Sequence, residues 1–315
     1  MATYTDFSNW MGALPEHLTR IPLSCLAIPG SHNSGTSDLN PTLGIAVDQS
    51  KTLQSLGKCC CVIPVIHRWS KTQNLSIKEQ LEAGIRYLDL RIAVHPGNMD
   101  FHFVHGLYGG LILPAMHEVR TFLEKNPREI VILDFNHFYN MNPTSHETLL
   151  TEIRTIFDAL IIPPDPVTAP KHAMTLTSLW NKQGRVIICY QDDGSSAKYN
   201  LFWSKYKMKS PWANTNSTES LIAFHENIYV NKHRNKTDDF YVWQGVLTPA
   251  GKDIVTHLCG SVEESFSANG SKAFVTWLKQ KKPGEQEINI CNVDFVEKHD
   301  FILNVIGLND KILKN

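Results

Sequence analysis

The chain has 315 residues, 42% hydrophobic and 19% charged, which is enough apolar side chain for one large or two small cores and excludes a disordered segment. Thirty basic residues against thirty-one acidic ones give a net charge of -1, which excludes a global pull toward nucleic acid or anionic lipid. The seven cysteines, at 25, 59, 60, 61, 189, 259 and 291, include no CxxC pair, so neither a disulfide framework nor a zinc site is expected.

The opening MATYTDFSNW has neither the basic nor the apolar region of a signal peptide, and no run of 18 apolar residues occurs. A cytoplasmic chain with free thiols is therefore expected, with the sequons at Asn216 and Asn235 as chance matches. The Cys59-Cys60-Cys61 triplet reads as a packed apolar loop, with palmitoylation as the alternative.

In chain order, short β-branched runs predict strands at 23–28, 86–94, 100–106, 129–135, 185–190, 240–248 and 288–296. Helical periodicity lies between most of them. SIKEQLEAG at 76–84 carries a capping-box pattern from Ser76 to Glu79 and closes on Gly84, while Pro114 stands near the start of a helix that breaks at Asn126-Pro127. Further helices are read at 145–161, 217–232, 271–284 and 300–310. The stretches 41–74 and 190–216 read as functional loops.

Strand followed by helix, about seven times without a composition break, predicts a mostly parallel sheet in a single domain covering 1–315 with a core of about 10–308. A (β/α) barrel fits better than an open doubly wound sheet, and no GxGxxG or P-loop follows any strand, which excludes the common nucleotide sites. In such a barrel the C-terminal strand ends form the active-site face. Those ends carry His32, Asp89, Arg91, His105, Asp134, Asn136, Tyr190, Gln191 and Asp294. Two imidazoles, a guanidinium and carboxylates on one rim suit acid-base chemistry on a phosphate, although each of these groups alone could serve a structural ion pair or hydrogen bond.

The segments LAIPGSHNSGT, TQNLSIKEQLEAGIRYLDLRI, FHFVHG, REIVILDFNHF, PWANT and KPGEQEINICNVDFVEKHDF, spread from Trp10 to Leu308, resemble the small eukaryotic phosphatidylinositol-specific phospholipase C X-domain-containing proteins, relatives of the bacterial enzymes. The resemblance implies a distorted, incompletely closed TIM-type (β/α) barrel that cleaves phosphatidylinositol between glycerol and phosphate. It implies His32 as the base for the inositol 2-hydroxyl, Asp294 as the carboxylate orienting His32, and His105 as the acid that protonates the departing diacylglycerol oxygen. Arg91 stands where calcium-dependent relatives carry a carboxylate and bacterial ones an arginine. No metal or other cofactor is therefore expected, with calcium on Asn33 and Asp89 as the alternative.

Two departures stand out. Asn33 replaces an aspartate that partners the acid histidine, so the amide is expected to orient His105 while Asp89 supplies part of the missing negative field. Gln191 replaces an inositol-binding arginine. Asn136, Tyr190, Gln191 and Trp212 are expected to contact the head group. The expected partner is phosphatidylinositol at a membrane surface, reached transiently through the chain's own loops, such as the apolar CVIPVIHRW, without a transmembrane segment and without nucleic acid. The alternatives are a metal-dependent glycerophosphodiesterase-like enzyme and a catalytically weak or silent inositide-binding protein.

Overall fold

The computed structural model describes residues 7–56, 62–164, 174–234 and 240–312; the Cys59-Cys60-Cys61 triplet and the Asn235 sequon lie outside these. Nine strands are formed among them: β1 (Ile28–Ser31), β2 (Tyr87–Val94), β3 (Phe101–His105), β4 (Leu107–Leu111), β5 (Val131–Tyr139), β6 (Val186–Tyr190), β7 (Met208–Lys209), β8 (Phe240–Gln244) and β9 (Ile290–Val293). Parallel ladders run in the order β7-β8-β9-β1-β2-β5-β6, and the antiparallel β3–β4 hairpin continues along the far half of β2. Among the described residues no ladder joins β6 to β7. Isolated bridges from Val186 to Ile161 and from Cys189 to Trp203 lie beside β6, and the sheet curls into a TIM-type barrel with an open seam.

The register divides the side chains into two layers. Ile28, Tyr87, Ile132, Ile187, Phe240, Val242 and Ile290 pack together inside, while Leu88, Leu90, Leu133, Ile188 and Val293 face the surrounding helices. Against that outer face the helix Ile112–Lys125 sets Met116, Val119 and Leu123, and the helix Pro143–Phe157 sets Leu149, Leu150 and Ile153, at the i, i+3, i+4 spacing of an amphipathic helix.

The first strand begins at Ile28, not Leu23, and Leu23–Cys25 is a 3₁₀ turn. Pro29 is tolerated in β1 because its nitrogen, which has no hydrogen to give, faces β2 before that strand starts, while its carbonyl accepts the Arg86 N–H at 2.9 Å. Gly30 is needed there, since a Cβ would come within 2.7 Å of the Tyr87 ring. Two strands had no sequence signal, β4 with its paired glycines and the two-residue β7. The stretch 41–74 is a correction too: it contains the helices Lys51–Leu56 and Val62–Ser70, the latter accommodating Pro64 in its first turn. The Ser76–Glu79 capping box forms as expected, with reciprocal bonds of 3.3 and 2.8 Å. Below the barrel, Arg86 and Glu129 form a fully buried pair at 2.8 Å, and Glu129 also accepts the N–H groups of Met11 and Gly12.

Candidate active site

Side chains on β1, β2, β5 and β9 alternate in and out, so His32, Asp89, Arg91, Asp134, Asn136 and Asp294 reach the C-terminal mouth of the barrel together. His32 leaves β1 with its Nδ1 2.7 Å from Asp294 Oδ1. Next to a carboxylate that nitrogen carries the proton, which leaves Nε2 free to accept one. Asp294 is itself held on both sides: Ser267 Oγ donates to its Oδ2 at 2.6 Å and Ser271 Oγ to its main-chain oxygen at 3.2 Å. These serines share a face because they stand four residues apart, Ser267 at the N-cap of the helix Ala268–Leu278 and Ser271 in its first turn. Gln73 bridges the ends of β1 and β9, donating to the carbonyls of His32 and Val293 at 2.9 and 3.0 Å. The separation of His32 from Asp294 is thus set by the backbone.

On the other side of His32, Arg91 Nη2 lies 3.5 Å from Nε2, and the His105 ring faces the His32 ring edge-on with centroids 6.5 Å apart. His105 Nδ1 donates to the carbonyl of Ser70 at 2.7 Å, so its second proton is carried on Nε2. Burial, reinforced by the Arg91 charge, pulls the His105 pKa from 6.5 down to about 4.

Asn33 does not orient His105, contrary to the sequence expectation. Its backbone sits at φ 44°, its N–H donates to Asp89 Oδ2 at 2.9 Å, and both polar atoms of its side chain are buried without a partner. Asp89 likewise lies beside His32 and not His105, with Oδ2 3.9 Å from His32 Nε2 and Oδ1 accepting from Asn136 Nδ2. Burial would raise the Asp89 carboxyl, but His32, Arg91 and the Asn33 N–H hold it below the usual range. Beneath it Asp134 accepts from Tyr87 Oη at 2.7 Å and Gln191 Nε2 at 2.8 Å, and burial pushes its pKa up to about 6. Asn136 and Gln191 therefore belong to the floor of the mouth.

Tyr190 is a correction. It is the strand neighbour of Gln191, so the two cannot face the same side; Tyr190 is wholly buried in the outer core with its hydroxyl 2.7 Å from His146 Nδ1. Trp212 is half exposed on the loop after β7, its Nε1–H donating to Thr248 Oγ1 at 3.0 Å, and it makes no bond to the His32 group.

Sequence reasoning missed His137. The β2–β5 register shifts between Leu90 and Arg91, so Arg91 pairs with His137 and not with Asn136, and this bulge brings His137 to the mouth beside Asn136. Its Nδ1 lies 2.6 Å from Asn136 Oδ1. Burial and the Arg91 charge lower its pKa. A consecutive Asn-His at a strand end was the available signal. Asp48, Ser70, Gln73 and Ser267 lie in loops or helix ends far away in sequence and carried none.

Among the described residues no group of three or more His, Cys, Asp or Glu side chains is arranged to hold a metal ion. Asn33 and Asp89 do adjoin, but both Asp89 oxygens already accept from the chain. Among the described residues no helix is long and apolar enough to cross a membrane.

The curled parallel sheet with two histidines, an arginine and a carboxylate at its mouth has a phospholipase-like fold. A family model described as PI-PLC X 1 matches residues 65–236. PI-PLC X domain-containing protein 2 of Mus musculus is 39% identical over 305 residues, covering 96% of this chain and 88% of that one. PI-PLC X domain-containing protein 1 of Homo sapiens is 34% identical over 97% of this chain and 93% of that one. Among solved structures, the phosphatidylinositol-specific phospholipase C from Listeria monocytogenes superposes with a TM-score of 0.65 at 19% identity, covering 97% of this chain and 99% of that one. One from S. aureus gives a TM-score of 0.68 at 15% identity over 96% and 98%. This chain belongs to the PI-PLC X domain-containing protein family.

Proposed function

We propose that the protein is a phosphoric diester hydrolase that cleaves phosphatidylinositol into diacylglycerol and a 1,2-cyclic inositol phosphate without a metal. His32 Nε2 takes the proton of the inositol 2-hydroxyl, whose oxygen attacks the phosphorus and forms the cyclic phosphate bond. The bond from phosphorus to the diacylglycerol oxygen breaks, and His105 Nε2 delivers a proton to that oxygen. Asp294 stabilises the cation formed on His32, and Arg91 carries the charge on the phosphoryl oxygens. With the roles reversed, water opens the ring. Asn136 and Gln191 supply polar contacts to the head group, and the half-exposed Trp212 ring borders it. The protein works in the cytoplasm and meets its lipid transiently at membrane surfaces.

The observation that carries this reading is the spacing of the three groups: imidazole centroids 6.5 Å apart, with the Arg91 guanidinium 3.5 Å from the base nitrogen. Metal independence rests on that guanidinium and on the prior engagement of Asp89. The test is hydrolysis of phosphatidylinositol vesicles by wild type and His32→Ala, each in EGTA and in added calcium. Wild-type turnover in EGTA that disappears in His32→Ala supports the reading; turnover only with calcium overturns the role given to Arg91. A second reading, head-group binding with little turnover, is favoured by one feature: burial and the Arg91 charge lower the His105 pKa to about 4, away from the protonated form an acid needs. Vesicle binding without hydrolysis in either buffer would establish it.

A further inference from the structure

An acid that must be protonated sits in this site against strong opposing pressures. Burial is the largest, and Arg91 on β2 and protonated His32 at the end of β1 also repel a proton on His105. Among the described residues the Ser70 carbonyl is the one hydrogen-bond acceptor on its ring, and it is uncharged. Asn33, in place of an aspartate, brings no charge and no bond. The carboxylate that opposes these pressures comes from a loop the sequence reading did not weigh: Asp48.

The geometry fixes Asp48 against the His105 turn. Its Oδ2 accepts the N–H of Gly106, the residue after His105, at 2.8 Å, and its Oδ1 is buried without a partner. The loop is stitched to the same turn by the Ala46 N–H, which donates to the Gly106 carbonyl at 2.9 Å, and by a bridge from Ile45 to Leu107. Gly106 adopts φ +70°, and a Cβ there would meet Ser70 Oγ at 2.0 Å. The turn is therefore clamped between the end of the helix Val62–Ser70, which holds Nδ1, and the Asp48 loop, which brings the negative charge. Tyr108 and Tyr139 also feel the Asp48 charge, each having its hydroxyl pKa raised chiefly by burial and in part by this carboxylate.

We infer that Asp48 is the positioning carboxylate of His105, holding its turn through Gly106 and stabilising the protonated ring. This rests on His105 being the acid of the proposed reaction. The field of Asp48 on His105 is a separate, measurable claim.

Asp48→Asn keeps an oxygen for the Gly106 N–H and removes only the charge. With a soluble inositol phosphodiester, kcat/KM at neutral pH is expected to fall by about tenfold or more, in step with a downward move of the His105 inflection by about one pH unit or more. In ¹³C-histidine NMR the variant's His105 ring is expected to stay neutral at the pH where the wild-type ring is half protonated. An unmoved His105 inflection overturns the inference, even if activity falls. Should Asp48→Asn fail to fold, the Asp48 carboxyl ¹³C shift in the wild type is expected to track the His105 inflection, and a flat signal overturns it. Absence of wild-type turnover sinks the catalytic reading alone, because the His105 inflection still decides whether Asp48 acts on it.

Discussion

Nδ1 of His32 and Oδ1 of Asp294 lie 2.7 Å apart although 262 residues separate them in the chain. Direct pairing of β1 with β9 closes that distance, and Gln73 locks it by donating to the last carbonyls of both strands. The carboxylate then fixes the imidazole tautomer.

Asp294→Asn, which keeps an acceptor but not the charge, is expected to lower kcat/KM by about 10² to 10⁴. Ser267→Ala removes one bond to the second carboxylate oxygen and is expected to cost about tenfold. Turnover of a soluble inositol phosphodiester measures both, and equal rates for Asp294→Asn and wild type would remove His32 from the base role.

Arg91→Lys is not a mild change, because a lysine ammonium cannot present the flat fork of donors that lies beside His32 Nε2. A fall of about 10² or more is expected in EGTA. Added calcium is expected to restore neither Arg91→Lys nor Arg91→Ala; full rescue by calcium would mean that Asn33 and Asp89 had become ligands.

Gly106→Ala forces a side chain into left-handed backbone and against Ser70 Oγ. Denaturant unfolding is expected to show a loss of about 1–3 kcal/mol. Turnover is expected to fall further than stability accounts for, since the Ser70 carbonyl that holds His105 has to move. An alanine variant as active and stable as wild type would contradict the clamp.

Acid sensitivity follows from two buried histidines. Burial, partly offset by the bond from Nε2–H to the Gln244 carbonyl, pulls His225 from 6.5 to about 4, and His105 is lowered to about 4 as well. Below pH 6.5 the unfolded chain takes these protons before the folded one does, so stability falls as the pH drops toward 4, by at most about 1.4 kcal/mol per pH unit for each. Asp134 acts with the opposite sign, because its folded pKa of about 6 lies above the ordinary 3.8; the stability it adds is complete below 3.8 and gone above 6. His225→Gln is therefore expected to flatten the decline in urea-unfolding free energy relative to wild type, with Asp134 and His105 common to both. Parallel slopes would show that His225 is not the source.

Glu129→Ala removes the carboxylate that lies 2.8 Å from the buried Arg86 guanidinium and strips the acceptor from the Met11 and Gly12 N–H groups. A loss of about 3–5 kcal/mol is expected by denaturant titration. A change within about 0.5 kcal/mol would mean that the remaining partners of Arg86 suffice.

The fold class and the catalytic-type residues could be read from the chain because their signals are local: β-branched runs, a capping box, and ionisable groups set at strand ends. The strand errors have physical causes. β1 contains Pro29 and Gly30, which look like breakers until β9 supplies its ladder and Tyr87 needs the space. Tyr190 was placed in the mouth because facing follows from register, and one residue of register exchanges inside for outside.

By itself the sequence determined that a parallel, helix-covered sheet would carry two imidazoles, a guanidinium and carboxylates at its strand ends, since alternation and turn chemistry act over a few residues. The pairing of Asp294 with His32 was already implied by the resemblance; only the tertiary structure decided where the other groups go. Asp89 lies on the His32 side, the Asn33 side chain has no partner among the described residues, and Asp48 is brought to the His105 turn. Those assignments depend on a bulge in β5 and loops stitched across the mouth, and a field falling off over a few ångströms is set by such distances, not by order along the chain.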